Sequence, residues 1–226
     1  MVLLVIDGQQ QELSARGQAP RKSAGLILTD IPERVDMRAL YLFYLHGKII
    51  EDQGIHPTSP KYGTYEYQQI LNVFKDEGFI VISEARAKNT DAQAYALKIT
   101  EQIRSLIKSG VHPNKISVVG ASKGAVIAML VSTALRNRNV NFVLLSNCND
   151  DIRGAFQIDL WGNILSIYDR NDEFGHTCQK LFDQATGLNQ HEEIELQIGS
   201  GHAILFRPLS EWVGPTIGWA RRFQQR

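Results

Sequence analysis

The sequence lacks the features of several common protein classes. It has only two cysteines in 226 residues, Cys148 and Cys178, which give neither a disulfide framework nor a metal-binding spacing. Lysine plus arginine and aspartate plus glutamate both total 24, so the net charge is zero and no nucleic-acid or membrane-surface partner is indicated. No apolar run approaches the length of a membrane span, and there is no internal repeat. We therefore expect one globular domain over residues 1–226, without membrane or nucleic-acid contacts.

The N-terminus lacks the basic stretch that opens a secretory signal peptide. Residues 2–6 form a short apolar run, which predicts a first strand rather than a leader. We expect a cytoplasmic protein, or a periplasmic or secreted one if a leader has been removed. Because Cys148 and Cys178 follow strands that we expect to be neighbours, a disulfide between them is a hypothesis, and it would indicate an oxidising compartment.

What the sequence does contain is a strand, a tight turn and a helix in the stretch 115–129. Residues 116–119 are apolar and β-branched, as buried strands are. Residues 120–124 read Gly-Ala-Ser-Lys-Gly, and an apolar helical pattern follows. In this context a Gly-x-Ser-x-Gly turn strains the central residue, here Ser122, and lifts its hydroxyl clear of the sheet as a nucleophile. A glycine-rich turn that holds a phosphate is the alternative, but it would not require the serine.

Apolar runs alternate with helical patterns from Leu40 onward, which predicts a mostly parallel sheet with helices on both faces. Eight strands are expected, at residues 2–6, 25–29, 40–45, 79–83, 116–119, 141–146, 163–168 and 193–198. Helices are expected at residues 66–77, 90–109, from 125 onward, 176–186 and 208–223, the last with a kink or break at Pro215. The first two strands are expected to form an antiparallel edge, and residues 48–65 a long loop.

Side chains suited to hydrolysis follow four of the predicted strands. In open α/β sheets, ligands bind where the strands reach their carboxyl ends. His46 follows the strand 40–45, Ser122 follows 116–119, Asp169 and Asp172 follow 163–168, and His202 follows 193–198. A serine, an acid and a histidine in that chain order, each at a different strand end, indicate a serine hydrolase.

On these motifs the chain resembles the α/β-hydrolase family over roughly its whole length. The serine turn, the His-Gly after the central strand, the acid turn and the terminal Gly-His match the family by position and order. Residues 45–54, Leu-His-Gly-Lys-Ile-Ile-Glu-Asp-Gln-Gly, are similar in particular to a segment of small bacterial members with little or no cap. The resemblance implies the α/β-hydrolase fold and the reaction type, but no substrate. We expect no cofactor.

The same resemblance implies roles for the site residues. Ser122 would be the nucleophile, His202 the base and later the acid, and an aspartate would hold the imidazole in the required tautomer. Family acid turns run strand, Gly, x, x, Asp, and Asp172 aligns with that aspartate while Asp169 replaces the glycine. We therefore favour Asp172 as the triad acid and expect Asp169 to cap the turn.

An oxyanion hole needs two backbone N–H groups aimed at the developing charge. One is expected from Lys123, the residue after the nucleophile, and the other from Lys48, in the loop after His46 and Gly47. His46 is expected to order this loop rather than to take part in catalysis. A metal site formed by His46, Glu51, Asp52 and His56 has no recognised ligand spacing, so we expect no metal.

Two features bear on the substrate. The segment between Ser146 and Asn163 is too short for a large helical lid, which favours short acyl chains or accessible esters. Four cations follow strand ends, namely Lys48, Arg86, Lys123 and Arg170, and their convergence would favour an anionic substrate. The alternative is that Glu51, Asp52, Glu84 and Glu173 pair with them locally. The candidate substrate-binding residues are His46, Gly47, Arg86 and Arg170.

Three functions remain open from the sequence. The first is a carboxylesterase that acts through an acyl-enzyme on a small-molecule ester. The second uses the same triad as an amide hydrolase, peptidase or acyltransferase. The third is a non-catalytic ligand-binding member of the fold. The sequence gives no indication of oligomeric state.

Overall fold

The apolar and amphipathic stretches form strands and helices over residues 25–224, which are the residues that the structure, a computed structural model, describes. The strands are Leu26–Leu28 (β1), Leu40–Leu45 (β2), Thr58–Ser59 (β3), Gly63–Thr64 (β4), Phe79–Ile82 (β5), Ile116–Ala121 (β6), Asn141–Leu145 (β7), Trp161–Asp169 (β8) and Gly187–Leu196 (β9). The α-helices are Lys48–Gln53 (α1), Tyr67–Asp76 (α2), Ala92–Lys108 (α3), Lys123–Leu135 (α4), Asp150–Ala155 (α5), Gln179–Gln184 (α6) and Ser210–Arg222 (α7). Two 3₁₀ helices cover Pro113–Lys115 and Gly201–Phe206.

Seven of these strands form one sheet in the order β1-β5-β2-β6-β7-β8-β9. Each neighbouring pair is parallel, and β3 pairs with β4 in a separate antiparallel hairpin. In a parallel sheet all strands reach their carboxyl ends at the same edge. The segments that follow β2, β6, β8 and β9 are therefore brought to one rim, as the sequence predicts.

Helices cover both faces of the sheet. Successive side chains of β2 point to opposite faces and pack against the helices on each side. Tyr41 and Phe43 belong to one hydrophobic cluster, together with residues of α3 and α4. Leu42 and Tyr44 belong to the other, together with residues of α2 and α7. All four side chains are buried, because a central parallel strand contacts a helical layer on each side. The predicted α/β class, with helices on both faces of a parallel sheet, is confirmed.

Residues 48–65 differ from the predicted long loop. They form α1 and the β3–β4 hairpin instead. In α1 the side chains of Ile50 and Glu51 are buried against other parts of the chain, so tertiary contacts hold a helix that local sequence does not indicate. The predicted loop is thus wrong, and the segment is an ordered part of the rim of the sheet.

The edges of the sheet also differ in detail. The predicted first strand, residues 2–6, lies outside the described residues, so its antiparallel pairing stays a prediction. β1 itself is parallel to β5. At the other edge β9 begins six residues earlier than predicted, because its polar residues pair with β8 and face solvent.

The last helix continues through Pro215, so of the predicted kink or break the break is wrong and the kink stays a prediction. A proline clashes with the Cβ of the preceding residue in helical conformation, and here that residue is Gly214, which has none. Among the described residues, no helix combines the length and apolar character that crossing a bilayer requires.

Candidate active site

Ser122 stands in the tight turn between β6 and α4. Its backbone has φ 53° and ψ −120°, a left-handed conformation whose cost is roughly 1–3 kcal/mol. A Cβ on Gly120 would overlap the carbonyl group of Gly124, and a Cβ on Gly124 would overlap the carbonyl oxygen of Leu45 in β2. The N–H of Ser122 donates to the carbonyl oxygen of Leu145 at 3.0 Å, which anchors the turn to β7. The prediction of a strained serine in a turn that admits only small flanking residues is confirmed.

The structure brings Ser122, His202 and Asp172 together in a chain of hydrogen bonds. Nε2 of His202 lies 3.1 Å from Oγ of Ser122. Nδ1 of His202 lies 3.1 and 3.0 Å from the two carboxylate oxygens of Asp172. Because a carboxylate can only accept, Nδ1 carries the proton that it donates to Asp172, and Nε2 is left to accept the serine hydroxyl. Three side chains that lie 80 and 30 residues apart in sequence thus meet above one rim of the sheet.

The carboxylate of Asp172 is buried and held by the backbone of its own turn. Its Oδ1 accepts hydrogen bonds from the N–H groups of Phe174 at 2.8 Å and Gly175 at 3.1 Å. Burial by itself raises the pKa of Asp172, but the hydrogen bonds from His202 and Phe174 outweigh it, so the net pKa lies below the usual value. Asp172 is therefore ionised at neutral pH and can stabilise a positive imidazole.

Asp169, the other candidate acid, makes no hydrogen bond to His202. Its Oδ1 accepts from the N–H groups of Asn171 at 2.9 Å and Gly201 at 3.1 Å, and its Oδ2 accepts from that of Ile198 at 3.1 Å. Asp169 therefore ties the acid turn to the loop that carries the histidine. Its contacts extend beyond the turn cap that the sequence predicts.

The imidazole of His202 is held between aromatic rings. Its residue is 8% exposed and lies in the 3₁₀ helix after Gly201, whose φ of 53° favours glycine. The ring of Phe174 meets the imidazole edge to face at a centroid distance of 5.0 Å, and that of Tyr62 lies 6.0 Å away on a tilted plane. These contacts fix the plane of the imidazole.

The segment after β2 is ordered by the fully buried His46. The Nδ1–H of His46 donates to the carbonyl oxygen of Gly47 at 2.9 Å, and its Nε2 accepts from the N–H of Arg86 at 2.9 Å. Burial, reinforced by the charge of Arg86, lowers the pKa of His46 to about 3, so the ring is neutral. Gly47 lies directly against Ser122, and Lys48 follows as the first residue of α1. His46 holds this loop and does not reach the cavity beside the serine.

No protein-family model matches the chain, and no curated protein matches it by sequence. Solved structures do match. SOBER1 from Arabidopsis thaliana gives a TM-score of 0.51 at 11% identity, covering 81% of this chain and 98% of that one. Esterase PE8 gives 0.51 at 14% identity, with 82% and 93% covered. A structure of the metagenome-derived lipolytic enzymes LipS and LipT gives 0.52 at 10% identity, with 89% and 96% covered.

The chain has the α/β-hydrolase fold. The strained serine turn after β6, the acid turn after β8 and the histidine loop after β9 lie at one rim of the sheet, in the chain order serine, acid, histidine. The resemblance that the sequence motifs suggest is therefore confirmed at the level of the fold. The low identities say nothing about the substrate.

A small cavity opens beside Ser122 in this α/β-hydrolase fold. Its volume is about 170 Å³. Its wall consists of the serine, the start of α1, the β3–β4 hairpin and the 3₁₀ helix that carries His202, namely Gly47, Lys48, Ile49, Ser59, Tyr62, Tyr65, Ser122, His202, Leu205 and Phe206. Sequence reasoning missed the apolar wall, although aromatic residues in the 48–65 segment and the apolar run after His202 are the signals that could have found it.

The β3–β4 hairpin is fastened over the acid turn. Lys61 places Nζ 2.6 Å from the carboxylate of Glu173, and the hydroxyl of Tyr62 donates to the same carboxylate. Glu173 directly follows the aspartate of the hydrogen-bonded chain, and Tyr62 also packs on Phe206 at a centroid distance of 5.2 Å. The hairpin, which contributes Ser59 and Tyr62 to the wall of the cavity, is thus tied to the acid turn.

The structure places the two candidate substrate-binding cations, Arg86 and Arg170, away from the cavity beside the serine. Arg86 is buried beneath the loop after β2 and pairs with Glu51, and Arg170 pairs with Glu195 at the exposed sheet edge. Neither lines the cavity beside the serine, and of the four candidate substrate-binding residues only Gly47 does. The cations have local partners, as the alternative interpretation holds.

The partners themselves are only partly those expected. Lys48 pairs with Asp52 at 2.6 Å, but Glu84 pairs with Lys98 at 2.5 Å instead of with a cation at the site. These pairs are exposed and contribute little to stability. Each of the four predicted cations thus has a carboxylate partner.

Cys148 and Cys178 form a disulfide, as the sequence hypothesis proposes. Both residues are buried, and Cys148 forms an isolated antiparallel bridge with His176, just after the acid turn. Cys148 also borders a larger cavity of about 450 Å³, whose wall does not include Ser122. Within residues 25–224, no three His, Cys, Asp or Glu side chains are grouped as metal ligands.

Proposed function

We propose that the protein is a serine hydrolase that cleaves carboxylic esters with short acyl chains through an acyl-enzyme. The observation that carries this proposal is the unbroken chain of hydrogen bonds from Ser122 through His202 to Asp172, with 3.1 Å at the serine and 3.0 Å at the acid. A nucleophile, a base within reach of its proton, and a third group that orients the base are what this chemistry requires.

In the first step Oγ of Ser122 attacks the ester carbonyl carbon while Nε2 of His202 takes the hydroxyl proton. Asp172 stabilises the imidazolium that forms, because it stays ionised and accepts from Nδ1. The tetrahedral intermediate then expels the alcohol, which leaves with the proton from Nε2. The product is an acyl group on Oγ.

In the second step a water molecule attacks the acyl carbon. Nε2 of His202 takes a proton from the water and returns it to Oγ of Ser122 as the carboxylic acid leaves. The enzyme ends in its starting protonation state. The strained backbone at Ser122 keeps the hydroxyl in place for both steps.

The negative charge on the carbonyl oxygen needs donors in both steps. We assign this role to the backbone N–H groups of Lys48 and Lys123. Lys123 is the first residue of α4, directly after the serine, and Lys48 opens α1 beside Gly47, which lies against Ser122. The two N–H groups belong to the two segments that flank the nucleophile.

The size of the cavity supports a short acyl chain. A space of about 170 Å³ lies below the range of drug-sized ligand pockets, which begins at about 300 Å³. Its apolar wall includes Ile49, Leu205 and Phe206, which suits a hydrocarbon chain rather than a charged group. The names of esterase PE8 and of the lipolytic enzymes LipS and LipT agree with an ester substrate.

Covalent labelling with a fluorophosphonate probe tests the proposal. The native protein should be labelled on Ser122, and Ser122→Ala should abolish labelling and lower kcat by about 10⁴-fold or more. Ser200→Ala is the matched control, because Ser200 is exposed and lies outside the proposed machinery. Among p-nitrophenyl esters, acetate and butyrate should be cleaved faster than decanoate. A folded native protein that neither labels nor cleaves any of these esters would contradict the proposal and favour a binding module.

A further inference from the structure

A buried carboxylate bridges the two segments that flank the nucleophile. Glu51 lies on α1, and its side chain is fully buried. Its Oε1 is 2.7 Å from Nε of Arg86, and its Oε2 is 2.6 Å from Nζ of Lys123. The Arg86 side chain is fully buried too, and that of Lys123 is 22% exposed. Each carboxylate oxygen therefore serves one cation.

Burying charges in this way is costly, and for stability alone an apolar cluster would serve as well or better. The position of the cluster indicates what else it does. Glu51 lies one helical turn after Lys48, and its second partner is the side chain of Lys123. These two lysines carry the backbone N–H groups assigned to the oxyanion hole. One carboxylate thus connects the two halves of that hole.

Further contacts hold the cluster to the loop after β2. The guanidinium of Arg86 donates through Nη2 to the carbonyl oxygen of His46, and the backbone N–H of Arg86 donates to the imidazole of that histidine. Nζ of Lys123 also donates to the carbonyl oxygen of Thr90 at 2.6 Å. Nη1 of Arg86 is buried without a hydrogen-bond partner. The buried positive charge of Arg86 is therefore balanced by the carboxylate of Glu51.

We infer that Glu51 is a positioning residue that fixes the spacing between the oxyanion donors Lys48 and Lys123. This inference rests on the proposed function. The charge on the carbonyl oxygen develops only as the reaction proceeds. A change in the spacing of the donors therefore reduces the stabilisation of the transition state more than it reduces substrate binding. Loss of Glu51 should therefore appear in kcat rather than in KM.

The test compares Glu51→Gln with Asp52→Asn. Glutamine keeps the size of the side chain and can still accept from Arg86, but its amide group faces Nζ of Lys123. Asp52 is the neighbouring carboxylate on α1 and pairs with the side chain of Lys48 in solvent, so it is the matched control. Each variant is assayed on p-nitrophenyl butyrate, and kcat is normalised to active sites titrated with the phosphonate.

We expect Glu51→Gln to lower normalised kcat by about ten- to hundredfold with KM within about twofold of the native value. Asp52→Asn should leave both constants within about twofold. If Glu51→Gln does not fold, Lys123→Met decides the question, because it keeps the backbone N–H and the Arg86–Glu51 pair while removing the link between α1 and α4. Its normalised kcat should then fall with KM unchanged.

Native values of normalised kcat in folded Glu51→Gln, or in Lys123→Met where the first variant does not fold, would overturn the inference. So would a loss that is explained wholly by fewer titratable sites, since the role would then be structural. In both cases the native enzyme remains active, and the proposed function stands. A native protein without any esterase activity would overturn both.

Discussion

At the scale of single residues, the acid turn uses two aspartates three positions apart for different tasks. Asp172 accepts from the imidazole of His202, whereas Asp169 accepts from three backbone N–H groups and never contacts the base. One carboxylate contacts the imidazole, and the other holds the loops on either side of it. The two carboxylates are chemically identical, so the difference between their contacts follows from the groups that surround each of them.

Exchanging each aspartate for asparagine should separate these tasks. Asp172→Asn places an amide beside Nδ1 and favours the wrong tautomer, so we expect kcat to fall by about 10³- to 10⁴-fold with little change in stability. Asp169→Asn turns a donor toward a backbone N–H, which should lower the free energy of unfolding by about 1–3 kcal/mol. Esterase kinetics and urea unfolding measure the two effects. Equal kinetic losses in both variants would contradict this assignment.

His46 predicts a pH dependence of stability. Its pKa is about 3 in the folded protein and about 6.5 when unfolded, so below pH 6.5 only the unfolded chain takes up the proton. The stability from its neutral burial is complete above pH 6.5 and is lost as the pH falls toward 3. Each pH unit in this window corresponds to about 1.4 kcal/mol.

We therefore expect the free energy of unfolding to fall by roughly 2–3 kcal/mol between pH 6.5 and 4.5 on account of His46. Guanidinium denaturation at both pH values measures the fall. His46→Asn keeps a donor near the position of Nδ1 but does not titrate, so its stability should change less over the same interval. If the free energy of unfolding falls equally with pH in the native protein and in His46→Asn, the role of this histidine is refuted.

The sequence allows the side chains that meet at the sheet rim to be predicted, but not the partners of the charged side chains around them. Ser122 and His202 can be recognised because each sits in a local glycine-rich pattern at a strand end. The pairing of Glu51 with Arg86 and Lys123 joins residues 35 and 72 positions apart, and no local pattern encodes it. From the sequence alone, a substrate contact and a local ion pair are both open for Arg86.

At the scale of elements, the contact between α4 and β2 is as close as two backbones allow. The carbonyl oxygen of Leu45 occupies the space that a Cβ on Gly124 would need. Gly218 in α7 is the opposite case, since a Cβ there would meet nothing within 4 Å. The two glycines share a helical setting and differ only in what surrounds them.

Alanine at these two positions should change stability in opposite directions. Gly124→Ala forces α4 away from β2 and should lower the free energy of unfolding by about 1–3 kcal/mol, with loss of esterase activity. Gly218→Ala should raise it by about 0.5–1 kcal/mol, because alanine favours the helix and the site has room. Chemical denaturation of both variants checks the signs. An active, fully stable Gly124→Ala protein would contradict the packing described for the serine turn.

Buried elements could be predicted from the sequence better than exposed ones. The central strands are continuous apolar runs, and β2 was predicted with its observed bounds. β9 was predicted too short, because its polar residues gain their strand conformation by pairing with β8 rather than from their own preference. α1 was missed for the same reason, since burial of Ile50 and Glu51 holds it.

At the scale of the whole molecule, the disulfide should contribute to stability. It closes a loop across a sequence separation of 30 residues, and chain entropy then gives about 3–4 kcal/mol. Denatured, unreduced protein should contain no free thiols, and reduction should lower the free energy of unfolding by that amount. Thiol counting and denaturation with and without reductant measure both. Cys148→Ser with Cys178→Ser is the control that reductant should not affect.

The same bond divides the polypeptide into a covalent ring and two tails. Ser122 belongs to the tail that enters the ring, Asp172 to the ring and His202 to the tail that leaves it. A protease that cuts once inside the ring would therefore release no fragment, and the nicked protein would still migrate as one band until reductant is added.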